Sequence, residues 1–147
     1  MVNLDVIKRN ILHCIDKVYE NDSDLLVRNN HEITISSKLA QYLFNEFKEY
    51  NVDCEYDKHI DQEKYNTELN QNIRPDIIIH KRGTDENNLV YIEIKTDHNR
   101  ESRIFDLEKI KSMTKQVNKY KLGLFIDFNR EKENSNIIFF KDGKECN

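Results

Sequence analysis

The sequence predicts an α/β (α+β) fold, a mixed central β-sheet flanked by helices. Three observations carry this expectation. Two early stretches repeat apolar residues at three- and four-residue intervals, the signature of amphipathic helices. Short apolar runs bounded by polar or turn-forming residues follow, as strands require. A further helical stripe lies between the third and fourth of those runs, so the order reads α-α-β-β-β-α-β-β, a pattern that packs helices onto one mixed sheet.

Taken in order, Leu4, Ile7, Ile11, Ile15 and Val18 predict a helix over about 3–20. Ile35, Leu39, Leu43, Phe44 and Phe47 predict a second over about 31–49, with Asn29 or Asn30 as its N-cap. Residues 52–56 read as a short strand. The polar segment 57–72 has no Gly, Pro or clear apolar period and reads as a loop or loose helix. Residues 75–80 and 89–95 read as two strands joined by a longer hairpin connection containing Gly83, and Pro75 suits a strand start. Ile104, Leu107, Ile110, Met113 and Val117 define the third helical stripe, followed by strands at 122–128 and 136–140.

Composition bounds what such a chain can be. At 147 residues with 37% hydrophobic content it suits a single domain spanning 1–147, large enough to bury roughly two-thirds of its unfolded surface without a disulfide or structural metal. No apolar run approaches the ~18 residues of a membrane span, mean hydropathy is −0.82, and no N-terminal signal pattern is present. Cys14, Cys54 and Cys146 form neither an even set nor a CxxC pair, which argues against a disulfide framework or a cysteine zinc site and for a reducing cytoplasm. The net charge of −4 offers no global attraction to nucleic acid. Between residues 95 and 121, however, eight Lys or Arg face four acids, a local +4 that leaves −8 elsewhere. That stretch is either a phosphate-holding surface or a solvated helix face of mixed charge.

The chemistry-bearing residues lie in the middle strands. Alternation puts Glu93 and Lys95 on one face of their strand, with Val90, Ile92 and Ile94 on the other, and groups Asp76 with Ile78 and His80. If His80 pairs with Leu89, Asp76 lies opposite Glu93 with Cβ atoms about 5 Å apart. Two facing carboxylates destabilise a sheet unless a proton or cation lies between them. Oxygen-only ligands suit Mg²⁺ or Mn²⁺, which take one or two carboxylates plus substrate phosphate. Lys95 would then orient a water and offset charge building on phosphate. As bare letters, Asp followed after 16 residues by Glu-x-Lys also fits a surface hairpin with an ordinary Glu–Lys pair.

Arg74-Pro75-Asp76 followed by three isoleucines, with Val90-Tyr91-Ile92-Glu93-Ile94-Lys95, resembles the PD-(D/E)XK superfamily of restriction-endonuclease-like nucleases. Asp53-Cys54-Glu55-Tyr56, Ile79-His80-Lys81-Arg82-Gly83 and Leu122-Gly123-Leu124-Phe125-Ile126 are similar to segments of small bacterial and phage members, so the resemblance spans about 31–128. It implies a restriction-endonuclease-like fold and metal-dependent phosphodiester hydrolysis, with DNA ahead of RNA as substrate. It further implies that Asp76, Glu93 and the carbonyl of Ile94 bind Mg²⁺ or Mn²⁺, that Lys95 positions the nucleophilic water, and that Glu32 is the acidic residue supplied by the helix before the sheet. Glu32 also fits a plain carboxylate favoured by a helix N-terminus. A homodimer follows by analogy. The alternative is a catalytically inactive module of the same fold, serving binding or assembly in a phage or defence complex.

Lesser candidates are weighed the same way. Gln116 and Tyr120 stand four apart, as in the Gln-xxx-Tyr element of the RecB-like branch, and would share a helix face. Asp106 and Lys109 read as a surface ion pair outside the site. His80 reads as a strand histidine satisfied by neighbours, and of Asp53 and Glu55 the latter is the better candidate to approach a metal. No Gly-rich phosphate loop, Ser-His-Asp order, helix-turn-helix or zinc finger is apparent.

Overall fold

Asn3 starts the first helix, its side-chain oxygen accepting from the N–H groups of Asp5 and Val6. The computed structural model describes residues 2–28, 32–55, 58–59, 62–63, 65–66, 71–72, 74–84, 86–115 and 120–147. Helix α1 (Leu4–Val27) runs seven residues beyond the expected end. The apolar stripe pauses after Val18 and resumes with Leu26, and the backbone leaves helical geometry at Asp22 to accommodate the break. Tyr42 of α2 (Glu32–Glu46) donates a 2.6 Å hydrogen bond to Asp22, tying the kink to its neighbour. The expected caps Asn29 and Asn30 lie outside the described residues.

Six strands form one mixed sheet: β1 (Asn51–Cys54), β2 (Ile77–His80), β3 (Val90–Thr96), β4 (Leu122–Phe128), β5 (Asn136–Lys141) and β6 (Lys144–Cys146), adjacent in that order. β3 and β4 are parallel and every other pair is antiparallel. A parallel pair needs a crossover, and α3 (Ile104–Met113) supplies it. The segment read as a loop or loose helix instead holds two small antiparallel ribbons, 58–59 with 62–63 and 65–66 with 71–72. β6 also went unforeseen, although Asp142-Gly143 announces it. Both residues have positive φ, 53° and 80°, as a tight hairpin turn demands.

Helices α1 and α2 cover one face of the sheet. There Ile11, Ile15, Leu39 and Leu43 pack on Ile77, Ile79, Val90, Ile92, Ile94, Leu124 and Ile126, all at most 1% exposed. Helix α3 covers part of the other face through Ile110 and Met113, against Ile78, Tyr91, Phe125 and Phe140. It lies so close to β4 that a Cβ on Gly123 would stand 2.4 Å from a methyl of Ile110 and 2.8 Å from one of Thr114. No described helix is long and apolar enough to cross a membrane.

Candidate active site

β2 begins at Ile77, opposite Ile92, so β3 continues beyond the reach of its antiparallel neighbour. The N–H groups on that unpaired flank need acceptors. Asp76 Oδ2 accepts from Ile94 N at 2.7 Å, and Glu32 Oε1 accepts from Thr96 N at 3.0 Å and from the Asn99 side chain at 2.8 Å. Two of the expected acids thus substitute for the missing strand. The contact that Ile94 makes here is through its N–H, which orients Asp76. Asp76 is also held from behind, its carbonyl accepting from Glu55 N at 3.0 Å.

The register expected from the sequence is present: Ile77 pairs with Ile92, Ile78 with Tyr91 and Ile79 with Val90, which sets Asp76 against Glu93 one step further on. This register brings the two carboxyl groups together at the end of β2. Burial pushes both above the ordinary carboxylate range, and for Glu93 the adjacent Asp76 charge adds to the effect.

On the α3 side, Glu93 is 3% exposed and receives two donors at Oε1, the Tyr91 hydroxyl at 3.0 Å and Lys109 Nζ at 2.9 Å. Lys109 Nζ also stands 3.4 Å from Asp106 Oδ1, and Asp106 Oδ2 is 3.1 Å from Lys95 Nζ. Lys95 makes a further 3.5 Å contact with Glu101. Burial alone would lower the pKa of both lysines, but their acidic partners outweigh it and hold the ammonium forms above the usual lysine value. The result is a row of ionisable groups, the acids Asp76 and Glu93 followed by Lys109, Asp106 and Lys95, set on the sheet beneath α3.

This row corrects the reading of Asp106 and Lys109 as a surface pair. Asp106 is 5% exposed, and both side chains point at the sheet. The expected stripe of Ile104, Leu107, Ile110, Met113 and Val117 begins in steps of three, which lag the 3.6-residue turn. Ile104 is 70% exposed and Phe105 49%, whereas Asp106, Ile110 and Met113 form the buried line. An acid in phase with that line was the available signal.

Other expectations divide similarly. Tyr120 lies beyond the end of α3, is 3% exposed and packs edge-on against Tyr91 with ring centroids 5.5 Å apart, so it forms part of the core. Gln116 itself lies outside the described residues, as does Val117. His80 is satisfied as expected: Nε2 meets Asp53 Oδ2 at 2.7 Å, and Arg82 closes on the same carboxylate. Burial opposes ionisation of Asp53, but the Arg82 and His80 hydrogen bonds prevail and hold it below the usual value. Of the basic stretch, Lys95 and Lys109 turn inward, Arg103 clamps Asp127 and the carbonyls of Thr96, Asn99 and Glu101, Lys111 pairs with Glu108, and Arg100, Lys115 and Lys121 are exposed, while Lys119 lies outside the described residues.

Asp76 links two compartments. On one side it meets Glu93. On the other it lines a cavity of about 400 Å³ with Glu32, Ile33, Ser36, Ser37, Cys54 and Glu55. Glu55 lines this cavity from a backbone with φ of 49°. Among the described residues, no group of three or more His, Cys, Asp or Glu is placed to hold a metal ion. The donor chemistry nonetheless suits magnesium, which needs few protein ligands when waters and a phosphate complete its shell. No family model, curated protein or solved structure matches the chain.

Proposed function

We propose that the chain is a metal-dependent phosphodiester hydrolase of the PD-(D/E)XK type, with a restriction-endonuclease-like fold, acting on nucleic acid, DNA ahead of RNA. The observation that carries this reading is the close, buried pair of Asp76, just before β2, and Glu93 on β3, with the Lys95 ammonium on the same strand as Glu93 and two residues on. A buried carboxyl pair is an unfavourable arrangement for a sheet that has only to fold, and a useful one for a site that must capture a cation.

Asp76 and Glu93 would hold Mg²⁺ or Mn²⁺, whose chemistry is to polarise phosphate and lower the pKa of a bound water. Ile94 N–H fixes the orientation of Asp76, and Tyr91 fixes that of Glu93. Lys95, kept charged by Asp106, would offset negative charge as the phosphorus centre becomes five-coordinate and would position the attacking water. Glu32, engaged with Thr96 and Asn99 across the cavity from Asp76, keeps the end of β3 in place and is a candidate for holding a metal-bound water.

One observation favours a second reading. Every charge in the row from Asp76 to Lys95 already has an internal partner, as an inactive binding or assembly module would require. Cleavage of labelled duplex DNA, single-stranded DNA and RNA in Mg²⁺, Mn²⁺ or EDTA separates the two. Cutting that requires metal and falls on the order of 10²-fold or more in Lys95→Ala and Asp76→Ala is the expected result. Absence of cutting on every substrate, together with no metal binding by calorimetry, would transfer the assignment to the module.

A further inference from the structure

The metal-dependent reading leaves Lys109 unassigned. Its ammonium occupies the position beside Glu93 where a metal ligand must be open, at 2.9 Å from Oε1. It is also within reach of two other groups on its own helix, Asp106 Oδ1 at 3.4 Å and the face of the Phe105 ring, 5.2 Å from the centroid. Phe105 is 49% exposed while Glu93 is 3% exposed, so the three partners mark a path from the site outward along the first turn of α3. A cation left alone in so buried a place would be costly, but this one has an acid and an aromatic face ready to receive it.

We propose that Lys109 is a displaceable counter-ion of the metal site: it occupies Glu93 in the metal-free protein and withdraws to Asp106 and Phe105 when Glu93 engages a divalent cation. Such a device keeps a buried carboxylate compensated in both states. It also sets a threshold for metal affinity, because part of the binding free energy goes into moving the lysine. The inference rests on the metal-dependent reading above and adds to it a role for a residue outside the Asp-Glu-x-Lys set.

Amine-reactive labelling of the intact protein, read by mass spectrometry at Lys109, tests the withdrawal directly, with calorimetry run in parallel to show whether Mg²⁺ is bound. In EDTA the Lys109 side chain is 13% exposed and should label slowly. With Mg²⁺ bound, its labelling should rise several-fold, whereas that of Lys121 should not change. In Glu93→Gln, which lacks the anchoring charge, labelling at Lys109 should be raised in EDTA and insensitive to Mg²⁺. Calorimetry showing bound Mg²⁺ with unchanged Lys109 labelling in the wild-type protein would overturn the inference and leave the metal site standing. Absence of Mg²⁺ binding would overturn both.

Discussion

The two faces of the sheet are built on opposite principles. Under α1 and α2, the sheet presents isoleucine, leucine and valine to helical stripes of the same kind. Under α3, the same strands present Tyr91, Glu93 and Lys95 to a ten-residue helix that answers with Asp106 and Lys109 as well as Ile110 and Met113. The first face needs only shape and apolar area. The second holds its charges by mutual compensation, so each depends on its neighbour. Apolar packing is therefore concentrated on one side and paired charge on the other, with Asp76 at the seam.

The largest expected effect comes from breaking the compensation on the α3 face. Lys109→Met leaves Glu93 buried beside Asp76 without its cation and should destabilise by roughly 3–5 kcal/mol in urea unfolding, while the double variant Glu93→Gln/Lys109→Met should regain most of that loss. If the single and double variants are equally unstable, the row of charges is not a coupled unit. On the apolar face, Leu39→Ala removes a fully buried side chain from the helix-sheet core and should cost about 2–5 kcal/mol, with no partner substitution able to restore it. A loss well below that range would show that this face is looser than its packing implies.

A smaller effect sharpens the same contrast. Gly123→Ala drives a methyl into Ile110 and Thr114, and should cost about 1–3 kcal/mol by lifting α3 from β4. Because α3 carries Asp106 and Lys109, cleavage should fall further in this variant than in Leu39→Ala, compared at equal folded fraction. The smallest effect lies away from both cores, at Asp53. Its folded pKa is below the reference of 3.8, so its contribution to stability is present above the unfolded value and is lost as pH falls through the folded one. Between about pH 4 and 2, the wild type should therefore lose urea resistance more steeply than Asp53→Asn; parallel slopes would show that the Arg82 and His80 contacts add nothing.

Much of the fold was legible because periodicity survives without context. The stripe of α1, the isoleucine run of β2 and the apolar run of β4 each encode their element locally. The opposition of Asp76 and Glu93 followed from strand alternation once a register was chosen, and the chosen register is the one present. Less legible was anything set by a neighbour. The phase of α3 is set by the sheet: its first turn is exposed, so Ile104 fits the apolar stripe by spacing yet lies outside the core, and Asp106 and Lys109 read as a surface pair although both face inward. Tyr120 seemed to continue a helix that stops at Met113. The carboxylates of Asp76 and Glu32 looked free for a ligand, yet each also serves a backbone N–H that the short β2 leaves unpaired.

By itself the sequence determined the three helices and the strands β1 to β5, which strand faces are apolar, and that an Asp, a Glu and a Lys lie at one end of two adjacent strands. These depend on spacing along the chain, which the 3.6- and 2-residue repeats convert into faces without knowledge of the partner. Only the tertiary structure decided what compensates those charges. Whether a buried carboxylate meets a proton, a lysine or an open cavity depends on the rotation and closeness of a helix 13 to 16 positions further along the chain, and the glycine at 123 that permits this approach acts through space rather than through sequence.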